Sequence, residues 1–151
     1  SYKQFDVSVL LQGAANFDMY LSHEAAWAFF NGGKVHGDHL GRAQIGTNGD
    51  VSNPGATYPR LSISSATVNQ RTSSYWVKSG NYLRLKNVEV GYTLPKNVSD
   101  KVGIGSLRMY LNGRNLFTWS GIKNLDPENP QSRGWFYPQQ KVFNLGINVE
   151  L

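Results

Sequence analysis

The sequence predicts an all-β fold of antiparallel strands that run up and down, as in membrane barrels. Three observations predict it. Four segments alternate apolar and polar residues with the period of a strand. The connections between them alternate short and long, the pattern of barrels with tight turns at one rim and long loops at the other. The segments themselves are ~10–12 residues long, matching the ~9–11 that a tilted membrane strand requires. Alternation alone also fits a soluble β-sandwich, so that architecture stays open on these grounds.

The first segment is Phe5 to Gln12, with Phe5, Val7, Val9 and Leu11 on one face and mostly polar residues on the other. The second runs from Tyr82 to Leu94. Leu83 and Leu85 lie in one phase, Val88, Val90, Tyr92 and Leu94 in the other, so the switch at Lys86-Asn87 reads as a β-bulge. The third, Leu107 to Thr118, sets Leu107, Met109 and Leu111 opposite Arg108, Tyr110 and Asn112. The fourth, Lys141 to Leu151, is the cleanest: Phe143, Leu145, Ile147, Val149 and Leu151 alternate against Asn144, Gly146, Asn148 and Glu150. That polar set suits a wet lumen better than the Lys- and Glu-rich exterior of a sandwich. Between the strands lies turn chemistry, such as Asn31-Gly32-Gly33, Asn48-Gly49-Asp50 and Asn53-Pro54-Gly55. The best helical candidate is His23 to Phe30 behind an N-cap at Ser22.

Composition excludes several classes of function. The 151 residues carry a net charge of +5, with no dense basic stripe, so no nucleic-acid partner is expected. Cysteine is absent, which removes disulfides, thiolate metal sites and a Cys nucleophile. The longest apolar run, Ala25 to Phe30, is far short of a membrane-spanning helix. Two His and an Asp fall together in His36-Gly37-Asp38-His39, but a Gly-containing loop is a poor scaffold for a fixed metal site, and no metal or cofactor is expected. Asp126 and Glu128 stand two apart in a Pro-bracketed turn, where Asx capping explains them better than glycosidase chemistry. No nucleophile elbow occurs, and the expectation is a protein without catalysis.

The run Tyr82-Leu83-Arg84-Leu85-Lys86-Asn87-Val88-Glu89-Val90-Gly91-Tyr92-Thr93-Leu94-Pro95 resembles the "YLRLKN…GYTLP" signature of the SusC/RagA family of TonB-dependent outer-membrane transporters of Bacteroidetes. The likeness continues in register. Ile104 to Thr118 resembles the family's "ISSLRVYVNGQNLFT", Asn124-Leu125-Asp126-Pro127-Glu128 its "DPE" turn, and Tyr137-Pro138-Gln139 its "YPQ". Upstream, Tyr20-Leu21-Ser22, Trp27 to Gly33, Asp38-His39-Leu40 and Ala56 to Leu61 also fit. Two places depart from the family pattern: Gly41-Arg42-Ala43 replaces Asp-Arg-Trp, and Leu151 stands where outer-membrane strands usually end in Phe.

The resemblance implies the C-terminal four-strand portion of a large transmembrane β-barrel with long extracellular loops. Residues 1–151 would be a fragment, with plug domain and remaining strands upstream, since four strands cannot close a barrel. It implies an outer-membrane location and TonB-dependent uptake of oligosaccharides or peptides, with a SusD-like surface lipoprotein, the TonB complex and outer-membrane lipid as partners. The competing reading is a secreted carbohydrate-binding β-sandwich without transport. Residues 95–106 are expected in the periplasm, 15–78 and 119–140 outside. Tyr75, Trp76, Trp119 and Tyr137 lie near strand ends and are expected in an aromatic interface girdle. Arg60, Arg84, Arg108, Arg114 and Arg133 are candidates to line the lumen or pair with plug carboxylates. Two mid-loop aromatic clusters, Trp27 with Phe29 and Phe30, and Trp135 with Phe136 and Tyr137, are the candidates to contact substrate or partner.

Overall fold

In a computed structural model the described residues, 2–63, 68–129, 131 and 133–150, form six strands. These are β1 (Phe5–Ala14), β2 (Asp18–Tyr20), β3 (Val77–Ser79), β4 (Tyr82–Thr93), β5 (Ser106–Ser120) and β6 (Val142–Glu150). The chain divides into two compact units. A sheet unit comprises residues 1–15, 81–120 and 138–151, and a loop unit comprises residues 16–80 and 121–137. Leu151, the last residue of the expected fourth strand, lies outside the described residues.

In the sheet unit the strand order is β1-β4-β5-β6, every neighbour antiparallel. Register follows from the alternation read in the sequence, because side chains one residue apart take opposite faces. Val7, Val90, Leu111 and Leu145 form one row across the sheet, and Phe5, Tyr92, Met109 and Ile147 another. On the opposite face Ser8, Glu89, Asn112 and Asn144 line up. The apolar face is open: Leu145 is 79% exposed, Phe143 67% and Ile147 60%. A sandwich would bury these three under a second sheet, and no described residue covers them.

The bulge lies where the change of phase places it. Leu10 pairs with Asn87 and Leu11 with Leu85, so Lys86 has no place in the β1 ladder. On the other side Asn87 pairs with Arg114 and Leu85 with Phe117, which sets Asn115 and Leu116 against Lys86 alone. Asn115 takes φ +52°, a left-handed conformation that Asn tolerates better than most residues. The short connection after β4 holds one turn of α-helix, α1 (Lys96–Ser99), and a 3-10 turn at Asp100–Val102. Gly103, at φ +72°, ends it.

The loop unit has a core of Met19, Ala25, Ala26, Ala28, Trp76 and Ile122. It contains a small sheet that the sequence does not announce, in which Met19 faces Lys78 and Tyr20 faces Val77. Three residues per strand are too few to show a period. The helix expected over His23 to Phe30 does not form. Single 3-10 turns at His23–Ala25 and Phe30–Gly32 stand in its place. Left-handed residues interrupt the segment, His23 at φ +52°, Phe29 at +60° and Asn31 at +49°, and none of these can sit inside an α-helix.

Candidate functional site

The loop unit gathers its aromatic side chains around Trp76. Trp76 is 5% exposed and meets Trp27, Tyr58 and Tyr75 edge to face at centroid distances of 6.4, 5.8 and 4.7 Å. Rings prefer this arrangement because the positive edge of one meets the negative face of the next. The Trp76 indole N–H donates to the Asn69 carbonyl (3.1 Å). Trp76 is therefore a core residue, which corrects its expected place in an interface girdle. Tyr75 packs on it and donates its hydroxyl to the Thr57 carbonyl (2.7 Å). Trp119 alone of that set lies in a long strand, on the apolar face of β5, where it stacks against Phe117 at 4.6 Å. Tyr137 is 93% exposed.

Polar pairing fixes the protonation state of this core. The Ala26 carbonyl accepts from both the Tyr58 hydroxyl and His39 Nε2 (3.1 Å). His39 Nδ1 accepts from the backbone N–H of His36 (2.9 Å). One ring nitrogen donates and the other accepts, so His39 is neutral, and its burial holds the imidazole below the ordinary value. Burial likewise pushes the Tyr58 phenol above the usual range and keeps it a donor. His36 Nε2 pairs with the Glu24 carbonyl (2.8 Å). Both histidines are thus engaged by backbone, and no group of three metal-ligating side chains occurs among the described residues. Asp126 accepts from the Glu128 backbone N–H (3.0 Å), the Asx turn its sequence suggests.

The candidate aromatics separate into two kinds. Trp27 and Phe30 pack together at 5.5 Å, and His23 touches both, at 4.8 and 4.9 Å. These two hold the loop core. Phe29 and Trp135 turn outward, 40% and 62% exposed, beside half-buried Phe136. An ion pair links the two clusters. Arg133 lies over the Trp135 ring at 4.2 Å and approaches Glu24 at 3.5 Å, and Glu24 also accepts from Asn31 (2.8 Å).

A cleft of about 250 Å³ lies between Tyr75, Trp76, His36, Asp38, Lys78 and Asn124. A smaller cavity, about 20 Å³, is lined by Trp27, Ala28, Tyr58, Asn69, Gln70 and Trp76, with exposed Arg60 also on its border. The sequence gives little warning of His39, Tyr58 and Gln70. Each lies in an aperiodic loop, and only the motifs around Asp38-His39-Leu40 and Thr57-Tyr58-Pro59 mark the first two.

The polar face of the sheet unit carries its own network. Arg108 on β5 bridges Asp6 on β1 (2.6 Å) and Glu89 on β4 (2.7 Å). Asn112 continues it to Asn87 (2.9 Å) and Glu89 (3.2 Å). Gly91 leaves the space for this bridge, since a Cβ there would collide with the Arg108 guanidinium and the Asp6 carboxylate. Tyr110 lies across Gly146 of β6 in the same way. Arg84, 3% exposed, donates to Thr118 (3.0 Å), and Arg114 shares the face of Arg108. Of the five arginines considered in the sequence, three thus sit on this face. Arg133 belongs to the loop unit, and Arg60 borders its small cavity.

No family model matches the chain. Among curated proteins it is 29% identical over 99% of its length to TonB-dependent receptor P26 of Formosa agariphila, and 27% identical over 99% to TonB-dependent receptor P3 of the same organism. The chain spans 16% and 15% of the length of these relatives. Among solved structures, the RagAB peptide importer in its closed-closed state matches with a TM-score of 0.70 at 24% identity, over 99% of this chain and 16% of that one. The open-open state of the same importer matches over 100% of this chain and 16% of the other, with a TM-score of 0.69 at 22% identity. An all-β antiparallel sheet, sequence likeness along nearly its whole length and a shared fold agree: the chain is similar in sequence to a segment of TonB-dependent receptors and shares the fold of part of the RagAB importer.

Proposed function

We propose that the sheet unit supplies the last four strands of an outer-membrane barrel that imports its substrate with energy delivered through TonB. The observation that carries this reading is the two-faced sheet. One face is a continuous exposed apolar band, and the other is polar and internally paired through Arg108. Water would penalise the first and hydrocarbon the second, so the sheet fits a boundary between lipid and an aqueous lumen. In this reading residues 1–151 are the C-terminal barrel portion, β4 and β5 turn in the periplasm, and the loop unit lies outside the cell.

Oligosaccharides or peptides are the substrates in this reading, captured together with a SusD-like lipoprotein. The outward aromatics Phe29, Trp135 and Tyr137, with Phe136 beside them, are the contacts we assign to partner or substrate, while Trp27 and Phe30 hold the loop that presents them. Single-cysteine labelling of intact cells tests the topology, free of background from this chain because it has no cysteine. Position 137 should label and position 101, exposed in the turn between β4 and β5, should not, and the reverse overturns it. Trp135→Ala in the full-length receptor should lower recovery of the lipoprotein or uptake without lowering barrel abundance. Wild-type levels of all three would reduce the cluster to loop packing.

A further inference from the structure

Three Asn-Gly pairs occur in the chain: Asn31-Gly32, Asn48-Gly49 and Asn112-Gly113. Such a pair is chemically labile, because glycine has no Cβ to shield its backbone nitrogen from the side-chain carbonyl of the preceding Asn. The structure gives the three pairs different surroundings. Asn112 lies inside β5, and its Nδ2 donates to Asn87 (2.9 Å) and Glu89 (3.2 Å). Asn31 is exposed, but its Nδ2 donates to Glu24 (2.8 Å), which holds the amide carbon in place. Asn48 is exposed, and its side chain has no hydrogen-bond partner among the described residues. The Gly32 and Gly49 N–H groups close turns alike, on the carbonyls of Phe29 (3.2 Å) and Gly46 (3.0 Å). Freedom of the side chain is therefore what sets Asn48 apart.

We propose that Asn48 is a site of spontaneous deamidation, and that Glu24 and the β5 network guard the other two pairs. The Gly49 nitrogen, having lost its proton to solvent base, attacks Asn48 Cγ. A C–N bond forms, the Cγ–Nδ2 bond breaks, and ammonia leaves with a proton taken from water. The resulting succinimide ring takes up one water molecule. Opening at one carbonyl leaves an aspartyl residue at position 48, and opening at the other leaves the chain running through the β-carboxyl. Water is the only co-reactant, and nothing is oxidised or reduced.

The position gives the modification a structural effect. Asn48 sits in a turn closed by the Gly46 N–H donating to the Asp50 carbonyl (2.8 Å) and by the pairing of Ile45 with Val51. Either product places a new carboxylate two residues from Asp50. The β-linked product also adds a methylene to the backbone inside that closed turn, so the Gly46 bond must open to hold it. Conversion thus turns a neutral, closed tip into a more acidic and looser one. The inference concerns the chemistry of the turn alone and does not rest on the uptake reading.

The test uses the unmutated full-length receptor containing this segment, purified in detergent and aged at neutral and at alkaline pH. A second sample ages unfolded in guanidinium. Peptide mapping by mass spectrometry follows amide-to-acid conversion at positions 31, 48 and 112, and methylation by an isoaspartyl methyltransferase identifies the β-linked product. In the unfolded sample the three sites should convert at similar rates. In the folded receptor, position 48 should lead positions 31 and 112 by about tenfold or more, because the guarded pairs react only after local opening. Conversion at 48 should quicken with pH, since the attacking nitrogen must first lose its proton. In the β-linked fraction, hydrogen exchange at the Gly46 amide should accelerate while exchange in β4 and β5 is unchanged. A lead by position 31 or 112, or an intact Asn48 once the unfolded sample has converted, overturns the proposed site. Unchanged exchange at Gly46 in the β-linked fraction overturns the opening of the turn.

Discussion

The two units bury opposite chemistry. Among the described residues, the buried apolar side chains, Met19, Ala25, Ala26, Ala28, Trp76 and Ile122, all belong to the loop unit. In the sheet unit the buried side chains are Arg84 and Ser99, while Phe143, Leu145 and Ile147 stand exposed. In the proposed barrel, each unit would obey the same rule against a different solvent. The loop unit hides carbon from water around one tryptophan. The sheet unit pairs its ions on one face and leaves carbon exposed on the other, as the proposed lipid surrounding would allow. Fold stability in the loop unit therefore depends on packing, and in the sheet unit on backbone ladders and on which face a side chain takes.

The contrast can be broken at its strongest point first. Trp76→Ala removes the ring on which the loop core closes, and such truncations cost about 3–5 kcal/mol. Hydrogen exchange in residues 19–28 should accelerate sharply while exchange in β4 and β5 stays slow. Acceleration in both would mean that the two units share one core.

Next comes a pair of adjacent substitutions in β6. An arginine facing lipid near the bilayer midplane costs about 2–4 kcal/mol. Leu145→Arg in the full-length receptor should therefore cut the amount of heat-modifiable folded barrel, whereas Asn144→Arg, in the row of Glu89 and Asn112, should be tolerated. Equal losses would place both residues in one environment.

Gly91→Ala should destabilise by about 1–3 kcal/mol, because its methyl group displaces the Arg108 bridge without touching the apolar band. Urea unfolding of the barrel in vesicles measures this, and an unchanged midpoint would show that the bridge has room to spare.

The loop unit should also respond to pH through His39. Burial lowers its folded-state pKa below the ordinary 6.5, with His36 adding to the effect and Asp38 opposing it. As pH falls through 6.5 the unfolded chain takes up a proton before the folded one does, so stability is lost on acidification from that point downwards. A proton on Nδ1 would also face the His36 backbone N–H donor to donor. Exchange protection of the loop unit should decline between pH 7 and 5, and His39→Gln, with no proton to gain, should flatten that slope. The smallest effect belongs to Glu24 and Arg133, whose partly exposed ion pair should contribute under about 1 kcal/mol in a double-mutant cycle.

The sheet was readable in the sequence because its physics is one-dimensional. A two-residue period sets the faces, and the change of phase at Lys86 sets the bulge, both within a single strand. The two-faced pattern of β6 is complete in nine residues. The loop core was not readable, because Met19, Trp76 and Ile122 meet across gaps with no period. The helix expected at His23 failed for a related reason: Trp27 and Phe30 satisfy their apolar surface with His23 and Trp76, and the left-handed residues that permit this have no signature in composition. Of the site, the aromatics were visible as residue types, but which rings turn inward depended on partners such as Trp76, forty-nine residues from Trp27.

The misfit at Lys86 has a geometric consequence for the sheet. Between the same two rows β1 takes one step, from Leu10 to Leu11. β4 takes two, from Leu85 to Asn87, and β5 takes three, from Arg114 to Phe117. The extra length grows by one residue per strand, as in a wedge driven into a stack of planks. A crystallographer would call it a disclination: a flat lattice cannot hold it, so the sheet must bend and twist around that point. The curvature of this part of the wall is thus written into three neighbouring strands as a count, 1, 2, 3, and deleting Asn115 or Lys86 would flatten it by one tooth.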